Sequence, residues 1–174
     1  MTAPARLSHL LATIILPLLL PFATTANDAL PDEFHPDYEE VRAILNGDEE
    51  PMGVMFMIRG AHEQALEDML PRLQRHLRAL RARHPRLHLV AIAYGEEVRA
   101  LATAARDRHP ALHATLERLI ADLPLDVHVC GAFAAGIDLS PDDFPPHFDV
   151  VPSSTAQYEA YRALDYLPVM MAND

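Results

Sequence analysis

Cys130 is the only cysteine of this 174-residue chain, and it stands in Asp126-Val127-His128-Val129-Cys130-Gly131-Ala132-Phe133-Ala134-Ala135-Gly136. The pattern reads as a short buried strand, a glycine pivot and the first turn of a helix. A thiol placed there faces free backbone N–H groups and the partial positive charge of a helix amino terminus. Both favour the thiolate, which is the nucleophile. The opposing reading is a buried structural cysteine, since free Cys is among the most buried residue types and is then inert. If Cys130 reacts, Gly131 leaves room for a sulfur donor. His128 is expected to share the face of Cys130 only if the strand's pleat is distorted.

The elements that must position this thiol follow from hydrophobic patterning. Gly53-Val54-Met55-Phe56-Met57-Ile58-Arg59 and His88-Leu89-Val90-Ala91-Ile92-Ala93-Tyr94-Gly95 are continuous apolar runs, as in strands buried on both faces of a parallel sheet. Val127–Cys130, Phe148–Pro152 and Tyr166–Met170 supply three more strands, and Pro168 assigns the last to an edge. Between them, Leu66, Met69, Leu70, Leu73, Leu77 and Leu80 recur at helical spacing within His62–Arg83, with Arg72, Arg75, Arg78, Arg81 and Arg83 as a solvated face. Further helical segments are Glu96–Ala105, Leu112–Leu123, Ala132–Gly136 and Thr155–Leu164, the last capped by Ser153 or Ser154. Alternating strands and helices predict an α/β fold, a mostly parallel five-stranded sheet covered on both faces.

In such a sheet, reactive groups gather beyond the carboxyl ends of the strands. The loops Arg59–His62, Tyr94–Glu97 and Cys130–Phe133 should converge there, with Pro152-Ser153-Ser154 nearby. Candidate residues around Cys130 are therefore Gly131, Tyr94, Gly95, His62 and Ser153, with Glu96 and Glu97 at the same mouth and Tyr94 a hydrogen-bond donor to bound sulfur. Interface or rim duty is the competing assignment for this set.

These residues resemble the DsrE/DsrF-like family. The second strand followed by Tyr94-Gly95-Glu96-Glu97-Val98 is similar to that family's strand, aromatic-or-His, Gly, x-x-Val element. Val127-His128-Val129-Cys130-Gly131 resembles its cysteine-bearing strand, and Asp149-Val150-Val151-Pro152-Ser153-Ser154 with Gln157 to Val169 resembles its closing segment. The likeness spans about residues 51–170. It implies a three-layer α/β/α sandwich assembled into trimers or hexamers. It also implies, for some members, sulfane sulfur carried as a persulfide on a cysteine matching Cys130, exchanged with a donor or acceptor protein. Members often carry His where this chain has Tyr94. The alternative within the same fold is a non-catalytic oligomeric module that binds a small ligand or serves assembly, with Cys130 buried.

Composition bounds the rest. Residues 1–26 hold Arg6 and no acid, an apolar run from Leu10 to Phe22 broken by Pro17 and Pro21, and then Ala23-Thr24-Thr25-Ala26. That is the layout of a secretory signal peptide, shorter than the roughly 20 apolar residues of a bilayer span; the opposing reading is an uncleaved amino-terminal anchor. The first reading predicts a periplasmic or secreted protein that meets the membrane only during export. An acidic leader, 27–50, contains a short helix, Tyr38–Asn46, ended by Gly47; it packs on the domain or on a neighbouring subunit, or stays loose. The α/β domain is assigned to 51–174. A net charge of −11 argues against nucleic acid as partner. All the basic side chains are Arg, which rules out Schiff-base and P-loop lysine chemistry. One cysteine makes no internal disulfide. The spacings His84/His88 and His109/His113 each have proline beside the first His, so no metal site is assigned, and no cofactor is implied. There is no Gly-x-Ser-x-Gly elbow and no dinucleotide fingerprint.

Overall fold

The computed structural model of the chain describes residues 36–173. The expected signal peptide and the first part of the acidic leader lie outside the described residues. Along the chain come α1 (Pro36–Asn46), β1 (Gly53–Gly60), α2 (Ala65–Arg83), β2 (His88–Ala93), α3 (Val98–Leu101), α4 (Pro110–Asp122), β3 (Leu125–Cys130), α5 (Gly131–Gly136), β4 (Phe148–Val151), α6 (Ser154–Arg162) and β5 (Tyr166–Asn173). All five strands run parallel in the order β4-β3-β2-β1-β5, with helices on both faces. This is the expected three-layer sandwich, and β5 with its Pro168 is an edge strand.

The pleat sorts side chains onto two unequal faces. On one, Val54, Phe56, Ile58, Leu89, Ala91, Val127 and Val129 join the buried faces of α1, α2 and α4 in the main core. Leu66, Met69, Leu73, Leu77 and Leu80 of α2 are all within 2 % of complete burial, as their spacing predicts. On the other face, Met55, Met57, Val90 and Ile92 form a smaller cluster, packed against Tyr94, Tyr158, Tyr161 and Tyr166. The cover over this second face is thin, for no residue of α6 is fully buried.

The Arg set on α2 does more than stay solvated. Arg72 Nε donates to Asp37 Oδ2 at 2.6 Å and Arg75 bonds the Tyr38 hydroxyl, so both hold α1. Arg81 donates to the Leu123 carbonyl at 2.6 Å, tying α2 to the end of α4. α1 in turn shields the sheet edge: Glu40 Oε2 accepts the Met170 N–H of β5 at 2.7 Å. A backbone donor on an open edge would otherwise invite strand pairing. Among the described residues, no helix is long and apolar enough to cross a membrane.

Candidate functional site

The carboxyl ends of the strands set out a row of side chains. Ala93 pairs with Val129, so Tyr94 and Cys130 come next on β2 and β3. Ile58 pairs with Ala93, so Arg59 stands beside Tyr94, and Arg59 itself pairs with Ala172 of β5. The Tyr94 N–H donates to the Ile58 carbonyl at 3.1 Å, carrying the ladder one residue past β2. Cys130, Tyr94, Arg59 and Ala172 therefore follow one another across four strands. Tyr94 packs on the second-face cluster, and Cys130 meets the start of α6, so the row lies on that face.

Cys130 ends β3 and caps α5. Its Sγ accepts the Ser154 N–H at 3.3 Å, where β4 turns into α6. Burial pushes the thiol up. The Phe133 N–H, the Ser154 hydroxyl and N–H and the Ala132 N–H push the other way and prevail, so the thiol lies below its ordinary value. The residue is 5 % exposed. His128 also reaches α6, with Nε2 2.8 Å from the Tyr161 hydroxyl. An undistorted pleat puts residues i and i+2 on one side, so His128 shares the face of Cys130 without the distortion expected from the sequence.

Gly131 is placed against β4. A Cβ there would sit 2.8 Å from the Val151 carbonyl, so the close approach its lack of side chain permits is that of backbone. Ser153 is the N-cap of α6, its Oγ accepting the Ala156 N–H at 3.0 Å. The neighbouring Ser154 is the one that touches sulfur. His62 is exposed on the turn between β1 and α2.

Beside Cys130, the row opens into a cavity of about 620 Å³ lined by residues 59–61 at the end of β1, 94–96 after β2, Phe133 of α5, and Ala172 and Asn173 of β5. Tyr94 and Gly95 thus fall where the sequence puts them, whereas His62 and Ser153 are not among the lining residues. Phe133 connects the two parts, for its N–H serves Cys130 and the residue lines the cavity. Burial raises the Tyr94 phenol above its usual value against the pull of the Arg59 charge, which keeps the hydroxyl a neutral donor.

The walls are held by Glu97, a residue the sequence placed only at the mouth. It is fully buried. Oε2 accepts the Gly60 N–H at 2.6 Å, and Oε1 accepts the N–H groups of Tyr94 and Gly95, both at 2.9 Å. Its signal in the sequence is slight: an acid directly before the apolar Val98 at the start of a short helix. Gly95 must lack a side chain, because a Cβ would come within 2.6 Å of both Glu97 Oε2 and the Gly60 carbonyl.

The histidine pairs have separate partners. His109 Nε2 lies 3.0 Å from Glu63, and its Nδ1 lies 3.2 Å from Glu67; His113 Nε2 meets the Ala100 carbonyl at 2.9 Å. Among the described residues, no group of three or more His, Cys, Asp and Glu is arranged to hold a metal ion.

No family model matches the chain, and no curated protein sequence matches it. Solved structures do share its fold. One is the protein of unknown function MTH1491 from Methanobacterium thermoautotrophicum, with a TM-score of 0.54 and 16 % identity over 68 % of this chain and 99 % of that one. Another is the ychN protein from E. coli, with a TM-score of 0.53 and 17 % identity over 69 % of this chain and 100 % of that one. At 16 and 17 % identity the likeness is one of fold alone.

Proposed function

We propose that the protein is a sulfur carrier in which Cys130 takes sulfane sulfur as a persulfide and hands it on. The observation that carries this reading is the set of donors turned on Sγ, from Phe133, Ala132 and Ser154, which lowers the thiol against the effect of its own burial. The step is thiolate exchange. Cys130 Sγ attacks the outer sulfur of a donor persulfide, R–S–SH, a new S–S bond forms, and the donor's S–S bond breaks with its electron pair leaving on R–S⁻. The proton stays on the transferred sulfur, and no outside oxidant is consumed. Delivery is the same exchange run toward an acceptor thiolate. Access to the sulfur is through the thin layer above the second face, where α6 has no fully buried side chain and local opening is cheap.

Export to the periplasm or the exterior, and assembly into trimers or hexamers, belong to the same proposal. The pattern of residues 1–26 supports the first. The second is supported by the weak cover on the second face, where Met170 of β5 is 45 % exposed.

One observation favours a second reading, a binding or assembly module with an inert cysteine: Cys130 is 5 % exposed and does not line the cavity. Intact mass after polysulfide treatment separates the two. A gain of one sulfur atom that disappears in Cys130→Ser supports carriage. An unchanged mass with every donor tried leaves the module.

A further inference from the structure

The cavity beside Cys130 carries features that thiolate chemistry does not require. Arg59 is exposed at its wall, and among the described residues its guanidinium has no salt-bridge partner. Beside it on the next strand stands Tyr94, whose hydroxyl is a neutral donor. Phe133, Ala61 and Ala172 offer carbon surface. The opposite polarity is also present: Glu96, which pairs with Arg99 at 2.7 Å, and Asn173, whose Nδ2 donates to Asp68 at 3.3 Å and leaves its oxygen as an acceptor.

We propose that this cavity binds a small organic carboxylate of amino-acid or short-peptide character that carries a thiol or persulfide. Its carboxylate is held by Arg59 and Tyr94, its N–H groups face Glu96 and Asn173, and its sulfur points along the row toward Cys130. The sulfur placement rests on the carrier reading above; the binding of the carboxylate does not.

Three observations select this ligand class. A guanidinium fork matches a carboxylate in two parallel hydrogen bonds. A cavity of 620 Å³ lies within the size range of organic ligand sites, roughly 300–1,000 Å³, and is far larger than an inorganic oxyanion fills. The Cα atoms of Arg59 and Cys130 stand two strand spacings apart, about 10 Å, so a ligand anchored at Arg59 must span several bonds to present sulfur to Cys130.

The test is calorimetric titration of the Cys130→Ser protein, which cannot accept sulfur, with glutathione, glutathione diethyl ester and thiosulfate as probes. Glutathione should bind, and Arg59→Gln should weaken it by about 10- to 100-fold, the usual loss for a hydrogen bond to a charged group. The ester should lose a similar factor, and Tyr94→Phe a smaller one. Arg59 is exposed, so the variant should keep its far-ultraviolet spectrum and unfolding midpoint. Equal binding of glutathione and its ester, indifference to Arg59→Gln, no binding of glutathione, or tighter binding of thiosulfate than of glutathione each overturns the proposal. Failure of sulfur transfer is read separately, from the mass of the Cys130 protein. Arg59-dependent binding without sulfur uptake would retain the cavity's ligand and discard the carrier.

Discussion

Glu97 Oε2 accepts the Gly60 N–H at 2.6 Å, joining the end of β1 to the start of α3 across 37 residues of sequence. With Oε1 shared by Tyr94 and Gly95, one buried carboxylate fixes the two loops that wall the cavity. The arrangement is also costly. Burial raises the carboxyl above its ordinary value, and the N–H groups of Gly95, Gly60, Glu97 itself and Tyr94 oppose that rise without overcoming it.

Glu97→Gln should therefore destabilise the fold although it keeps the shape. The amide oxygen can serve Tyr94 and Gly95, but the amide nitrogen then faces the Gly60 N–H, donor against donor. One buried donor left unsatisfied costs about 1–3 kcal/mol. Glu97→Ala orphans all three and should cost more. Urea unfolding reads both. In the wild type, the folded state holds this proton more tightly than the unfolded chain does. Stability should then decline as pH rises from the ordinary 4.5 through the folded value, and Glu97→Gln should remove that component. A Gln variant as stable as the parent would mean that the clamp does not hold the walls.

Ser154→Pro tests the polarisation of Cys130 without breaking α6. Ser154 is the first residue of that helix, and Ser153 before it is extended, with φ −153° and ψ 147°, as a residue preceding proline should be. The substitution removes both the N–H and the hydroxyl that lower the thiol. The pH at which alkylation of Cys130 is half-maximal should rise in the variant while the circular dichroism stays unchanged. The wild-type thiol lies below the value of 9.0 typical of a free one, so the folded state releases its proton first on the alkaline side. Stability should then rise with pH in that window, and less so in the variant. An unchanged alkylation profile would mean that Ser154 does not tune the sulfur.

How far this was legible follows from range. The strands and α2 could be read because apolar runs and 3.6-residue repeats are local, and β5 betrayed its edge position through Pro168. Tyr94 and Gly95 could be placed because the carboxyl end of a parallel strand is a position, not a contact. Glu97, Arg72 and Arg81 could not be read, since each acts on a residue 35 to 42 positions away, and periodicity shows only that such a side chain is polar. Ser153 and Ser154 are chemically identical neighbours; one turn of helix geometry decides which caps α6 and which meets the sulfur. Arg59 enters the sequence reading only as the first residue of a converging loop. At the end of a continuous apolar run it looks like a strand terminus, and only the sheet order brings it beside Tyr94.

Asp37 should be a stability switch for α1. It is 1 % exposed, bonded to Arg72 at 2.6 Å, with His76 Nε2 3.5 Å away. Burial raises its carboxyl, but His76 and Arg72 together outweigh that, and the net shift is downward. A lowered carboxyl contributes stability above its unfolded value of 3.8 and loses it as pH falls through the folded one. Asp37→Asn leaves Arg72 without its counter-charge and should cost on the order of 3 kcal/mol, as for other broken buried pairs. Amide exchange should quicken first in α1 and along the β5 edge that Glu40 covers. Uniform loss of protection across all five strands would count against α1 as a separately detachable element.

Two Asp–His–Tyr lines run across the second face, and their difference in burial makes the last prediction. His88 Nδ1 is 2.7 Å from the Tyr166 hydroxyl and its Nε2 is 2.9 Å from Asp126. His128 Nε2 is 2.8 Å from the Tyr161 hydroxyl and its Nδ1 is 3.2 Å from Asp149. The two tyrosine rings meet with centroids 4.7 Å apart. The chemistry is the same in both lines, but the His88 side chain is 40 % exposed and that of His128 is 8 % exposed. Burial lowers His128 and keeps it neutral at pH 7, so with Nδ1–H toward Asp149 its Nε2 accepts from Tyr161. Tyr161→Phe leaves that acceptor buried without a donor, at a cost of about 1–3 kcal/mol. Tyr166→Phe exposes the corresponding nitrogen of His88 to water, which replaces the lost bond, and should cost no more than about 0.5 kcal/mol. Side-by-side urea melts at pH 7 read the difference. Equal costs would mean that the cover over the second face admits water as freely at His128 as at His88, and Cys130, two residues along the same strand, would then be open to solvent rather than dependent on movement of α6.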